Sequence, residues 1–203
     1  MPKGMTPNEY YNIKYNVTGL DDVSASIVNK NYGTNYVANK LELNTKNYTY
    51  SMNKNPGVLS NLENVDKLRD QPISNFYNGQ YNIKVLENDT YLYRGGENGG
   101  LTIPGSRNGL GQWFTSEPPT SVAKVRIDSA VKPQWLNEYG GLSGKSTVNT
   151  TYQIKIPKGT TIYYGPVGPQ GGVYLGGPDN IQIFIDQPWK IPGLEVIKET
   201  PLK

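Results

Sequence analysis

The chain has 203 residues, with no cysteine, no histidine, and 20 basic against 17 acidic side chains for a net charge of +3. The missing thiols and imidazoles exclude cysteine nucleophiles, disulfides, thiolate or imidazole metal sites and the Ser-His-Asp relay. The weak, scattered positive charge lacks the dense basic run that tracks a phosphate backbone, and no apolar run reaches the roughly 18 residues of a spanning helix, so neither nucleic acid binding nor stable membrane insertion is expected.

High counts of Gly (23), Pro (15) and Tyr (16) predict many turns and short strands rather than long helices. Residues 1–80, rich in Asn, Lys and Tyr, read as an accessory region or linker of short helices and loops, with helical stretches at 21–28 and, by the spacing of Val58, Leu59, Leu62, Val65 and Leu68, at 58–68. Residues 81–203 read as a second, β-rich domain. Strands are predicted at Tyr81–Leu86 and, after an Asn88-Asp89 turn, at Thr90–Arg94; a Gly-rich loop follows from Gly95 to Gly111, then a short strand at 112–116. Pro118-Pro119 opens a helix capped by Ser116 or Glu117 that runs to Pro133, and Gly140–Lys145 is a loop. Further strands fall at Thr151–Ile156, Thr160–Tyr164, Val173–Leu175, Ile181–Ile185 and Leu194–Ile197, with a Pro/Gly loop at Gly165–Gly172.

Without imidazole, catalysis must rest on carboxylates, amides, hydroxyls, Arg and Lys, or on a substrate that carries its own leaving group. In the last long strand, Ile181, Ile183 and Ile185 share one face, and Asn180, Gln182 and Phe184 the other. If the isoleucines face the core, Gln182 faces a cleft, where an amide can hold a sugar hydroxyl or a carboxamide; a solvent-facing glutamine fits the same spacing. Arg94 ends Tyr91-Leu92-Tyr93-Arg94-Gly95-Gly96, where a guanidinium beside small residues suits a phosphate or carboxylate, as well as an ordinary surface position. Phe114-Thr115-Ser116 carries hydroxyls at a strand end before a helix, suiting anion binding or plain capping.

In this order, the strand-borne Arg94, the Phe114-Thr115-Ser116 strand entering a helix, and the late strand with Asn180 and Gln182 resemble the ADP-ribosyltransferase superfamily. Gly165-Pro166-Val167-Gly168-Pro169-Gln170-Gly171-Gly172, then Gly176-Gly177 and Gln182, is similar to the Gly-Pro loop, glycine pair and catalytic Gln of tuberculosis-necrotizing-toxin-like NAD glycohydrolases. The second block reads Phe-Thr-Ser where the superfamily has Ser-Thr-Ser, and Thr151-Tyr152 stands where the toxin glycohydrolases commonly carry a His.

The resemblance implies an α+β, ADP-ribosyltransferase-like fold with a mostly antiparallel β core and an NAD-hydrolysing toxin activity. NAD+ is then the substrate, with no cofactor and no metal. Gln182 and Arg94 take the catalytic positions, and Tyr93, Arg94, Gly95, Phe114, Thr115, Ser116 and Asn180 the NAD-binding ones. It further implies a cognate immunity protein and export or delivery as the C-terminal part of a larger protein. NAD suits a chain without a strong base, because its nicotinamide is already cationic and leaves to give an oxocarbenium-like centre. Transferases usually have Glu where Gln182 stands, so the resemblance favours hydrolysis over transfer. A non-catalytic β-rich binding module is the reading from a different class.

Overall fold

The computed structural model describes residues 41–55, 58, 59, 72–101, 110–137 and 139–203. The expected helical stretch at 21–28, and residues 60–68 of the second, lie outside these. Leu41–Lys203 form one compact unit. Its sheets are antiparallel throughout the described residues, with one short α-helix among them, which makes an α+β fold rich in β.

The strands among the described residues are β1 (Asn82–Val85), β2 (Thr90–Gly96), β3 (Trp113–Phe114), β4 (Gln134–Leu136), β5 (Leu142–Lys145), β6 (Thr150–Ile156), β7 (Thr161–Val167), β8 (Gly177–Phe184) and β9 (Glu195–Pro201). They form a four-stranded sheet, β1-β7-β8-β3, a three-stranded sheet, β2-β6-β9, and a separate β4-β5 hairpin. Leu92, Tyr152, Ile154 and Ile156 from the three-stranded sheet share a core with Ile162, Tyr164, Ile183 and Phe114 from the four-stranded one. The alternation predicted for Ile181–Ile185 is therefore real: Ile183 and Ile185 enter this core, whereas Phe184 joins a second cluster with Leu59, Ile73, Phe76 and Tyr81.

The turns at 87–89 and 157–160 do not make hairpins. β1 pairs with β7, and β2 with β6, so each turn carries the chain from one sheet to the other. The two corners are tied together: Gly159 donates its N–H to the Leu86 carbonyl at 2.8 Å, Leu86 donates to Thr160 at 2.9 Å, and Asp89 accepts from the Lys158 N–H while pairing with Lys155 at 3.0 Å.

Four local expectations are corrected. Gly165–Val167 belong to β7 rather than to a loop. A proline normally ends a ladder, but a register shift between Pro166 and Val167 absorbs it. Gly165 also lies where the chain before β1 crosses: a Cβ there would collide with the Gln80 carbonyl and stand 2.9 Å from the Phe76 ring. Val173–Leu175 form no strand, because Gln170 and Tyr174 close a tight loop through a 2.9 Å backbone bond. The α-helix, α1, spans only Val122–Asp128, and its cap is Ser121, whose hydroxyl accepts from the Lys124 N–H at 3.1 Å. Pro118 and Pro119 lie buried before it. Leu142–Lys145 pair with β4 instead of forming a loop, because Asn137 closes the turn by accepting from the Gly141 and Tyr139 N–H groups at 2.8 and 3.0 Å.

The segment before β1 is held by a buried asparagine. Asn82 donates to the carbonyls of Asn44 and Asn47 and accepts from the Thr49 N–H. Tyr81 stacks between Tyr50 and Phe76, with centroids at 5.4 and 5.7 Å. Its hydroxyl is buried with no hydrogen-bond partner among the described residues, and burial pushes its pKa up to about 12. The unfolded phenol ionises near 10, so above that pH the unfolded state holds fewer protons and stability falls until about pH 12. Tyr81→Phe is expected to be neutral or stabilising at pH 7 in urea unfolding. Its advantage over the parent should grow between pH 10 and 11; an advantage independent of pH would disprove the assignment.

Candidate functional site

A cleft of about 330 Å³ opens where the two sheets meet. β3 creates the junction. Trp113 and Phe114 pair with Phe184 and Ile183 of β8. One residue later, Thr115 exchanges backbone hydrogen bonds with Tyr93 of β2 at 2.8 and 2.9 Å. The cleft takes Tyr93, Arg94 and Gly95 from β2, Trp113, Phe114 and Thr115 from the β3 segment, and Gln182 from β8. Asn75, Val167, Gly168 and Gln170 line it beside Gln182, and the end of α1 and Trp135 of the hairpin complete it.

Arg94 lies on the same side of β2 as Leu92, so its side chain runs into the end of the inter-sheet space. There the guanidinium donates to the Trp113 carbonyl at 3.3 Å and packs against the backbone of Gly111. Among the described residues no carboxylate pairs with it. Burial lowers its pKa from the ordinary guanidinium value, opposed by the neighbouring Tyr152 hydroxyl, and a guanidinium remains cationic through such a shift. A desolvated cation with one neutral hydrogen bond is costly alone, and an anionic ligand would relieve that cost.

Gln182 is 7% exposed. Its amide NH₂ donates to the backbone carbonyl of Asn75. A carbonyl can only accept, so this bond fixes which way the amide turns: nitrogen toward Asn75, with the oxygen left without a protein donor among the described residues. Asn75 is itself well held. The same carbonyl accepts from the Gly168 N–H at 2.7 Å, and its side-chain oxygen accepts from the Gln170 amide at 2.9 Å. The arrangement therefore holds one fixed acceptor oxygen and one half-buried cation in a single cleft.

The other expected site residues divide. Tyr93 is buried, and its hydroxyl accepts from the Gln153 amide at 3.3 Å. Gly95 lines the cleft, and it also makes room for α1, because a Cβ there would stand 2.8 Å from a Val125 methyl. The Phe114 ring, 2% exposed, is packed in the main core. Thr115 donates its hydroxyl to the Glu117 carbonyl at 2.7 Å. Ser116 and Asn180 are not part of the lining. Ser116 is half-buried in the bend after Thr115, and Asn180 donates its amide to the Gly176 carbonyl at 2.8 Å. Reading by residue type misses Asn75, which lies in no motif, Gln170, which the Gly-Pro loop carries without a role of its own, and Trp135, which sits on the unforeseen hairpin.

Gly111 carries a testable consequence. Its φ is +64°, and a Cβ would collide with the Arg94 guanidinium. Gly111→Ala is expected to cost about 1–3 kcal/mol in urea unfolding. Adding Arg94→Ala should recover part of that loss by removing the clash, so full additivity of the two changes would refute the contact.

No protein family and no curated protein matches the chain. Two solved structures are similar to it in part. A chain from the structure of Tne2 in complex with Tni2 superposes with a TM-score of 0.44 at 16% identity, covering 61% of this chain and 95% of that one. A chain from the structure of Tse6 in complex with Tsi6 gives a TM-score of 0.41 at 12% identity, covering 67% and 86%.

Proposed function

We propose that the chain is an NAD+ glycohydrolase toxin domain of ADP-ribosyltransferase-like fold, hydrolysing NAD+ to nicotinamide and ADP-ribose. The observation that carries this reading is the pairing, in one cleft, of the Arg94 cation with the amide oxygen of Gln182, oriented by Asn75. The order of these residues in the sequence, and its resemblance to the superfamily, support the same reading.

In this reading the Arg94 guanidinium takes a pyrophosphate oxygen, which offsets the cost of its burial. The β3 segment, which carries Trp113 and Phe114 into the cleft wall, borders the nicotinamide. As the glycosidic bond lengthens, positive charge gathers on the ribose, and the Gln182 oxygen lies in the cleft to receive it. The departing electron pair neutralises the nicotinamide nitrogen. Water adds at the ribose carbon and loses its proton to solvent, so no protein base stronger than an amide is needed. A second reading, mono-ADP-ribosyltransferase activity, is disfavoured by the amide at position 182, which cannot take a proton from an acceptor. As a toxin domain it would be delivered into a target cell within a larger exported protein and be neutralised by a cognate immunity protein.

The test is NAD+ consumption by the purified full chain, with the products separated. Free nicotinamide and ADP-ribose are expected in equal amounts. Gln182→Met keeps the side-chain length and leaves the Asn75 carbonyl its bond from Gly168. It should therefore fold with a stability loss of about 1 kcal/mol while losing about 10²–10³-fold in kcat. Arg94→Lys should raise KM more than it lowers kcat. Undiminished NAD+ beside folded parent protein would reject hydrolysis, and label from NAD+ retained on a protein would favour transfer.

A further inference from the structure

The cleft volume is near the bottom of the range for ligand sites, roughly 300–1,000 Å³. At about 330 Å³ the cleft is small for a whole dinucleotide. Exposure orders its two ends. Gln182, at 7%, lies in the interior, and Trp135, at 39%, lies at the mouth.

Trp135 is an unusual residue to leave in water, since tryptophan is among the more buried side chains. It sits on the β4-β5 hairpin, which pairs with neither main sheet, yet the hairpin base is firmly held. Arg126 of α1 donates to the carbonyls of Val131 and Lys132 at 3.1 and 2.9 Å and to the Ser146 carbonyl at 2.5 Å. These bonds clamp the strands on both sides of the hairpin to the helix that lines the cleft. The indole lies over Gly144, where a Cβ would stand 3.5 Å from its ring. An aromatic face on a tethered arm at a cleft mouth is a stacking surface for a planar ring.

We infer that Trp135 forms an outer subsite that stacks the adenine of the dinucleotide, with Arg126 as the residue that positions it. This rests on the hydrolase reading above. The inner cleft then holds the nicotinamide half, and the outer half is bound by stacking rather than by hydrogen-bond readout. A stacked base gives affinity without specificity for its edge, so other purine dinucleotides with the same inner half should also be accepted.

The experiment measures NAD+ hydrolysis by the full chain together with calorimetric binding of AMP and of nicotinamide mononucleotide. Trp135→Ala should raise KM for NAD+ and weaken AMP about tenfold, with kcat and nicotinamide mononucleotide affinity within twofold of the parent. Trp135→Phe should restore most of the AMP affinity, and Arg126→Lys should resemble a milder Trp135→Ala. Unchanged KM and AMP affinity in Trp135→Ala would overturn the subsite and leave the hydrolase reading intact. A fall in kcat without a change in KM would also overturn it, because Trp135 would then act at the reacting bond. A folded parent that neither consumes NAD+ nor binds either mononucleotide would remove the reaction itself, and with it this subsite.

Discussion

Three consecutive residues hydrogen-bond to both sheets, and the rest of the unit is arranged around that seam. Trp113 and Phe114 extend the four-stranded sheet, and Thr115 then bonds Tyr93 of the other. Strand alternation sends their side chains in opposite directions: Trp113 into the aromatic cluster with Phe76 and Phe184, and Phe114 into the core between the sheets. The cleft lies beside this segment and takes Trp113, Phe114 and Thr115 into its wall. The Trp113 carbonyl belongs to the same segment, so the element that joins the sheets also anchors the guanidinium of Arg94.

The site is built from two groups that the fold leaves incomplete. Arg94 keeps a charge in a half-buried place, with a backbone carbonyl and a glycine for neighbours. Gln182 gives up its donors to Asn75 and retains an acceptor. Both are fixed before any ligand arrives, which is the condition under which dipoles and charges act most strongly on a reacting centre. A glutamate at position 182 would present a lone pair to the Asn75 carbonyl instead of a hydrogen. The local backbone therefore selects an amide there on structural grounds, independently of chemistry.

Much of this is legible in the sequence where a side chain's type and period carry the information. Ile181-Gln182-Ile183-Phe184-Ile185 alternates because one face meets an apolar core, so the placement of Gln182 away from the isoleucines follows from counting by twos. Strands such as Thr151–Ile156 are similarly clear, being β-branched or aromatic at every position but Gln153 and Lys155. What stays hidden depends on backbone atoms or on distant pairing. Asn75 orients Gln182 through its main-chain carbonyl, a group every residue owns, so no residue type could betray it. The turns at 87–89 and 157–160 look like hairpin turns, but whether a turn joins paired strands is decided by which strand lies alongside. Pro166 looks like a break, and only the bulge beside it lets β7 continue.

The bond between Gln182 and Asn75 spans 107 positions of the chain, and the one between Gln170 and Asn75 spans 95. Contacts of such length form late, after loop closure has been achieved by the sheets themselves. Ribosomal synthesis delivers Asn75 well before its partner. Until β8 has docked, the Gln182 amide has no fixed orientation. Two proteolytic cuts that released residues 72–81 would free the Gln182 amide to turn again without touching either Arg94 or Gln182.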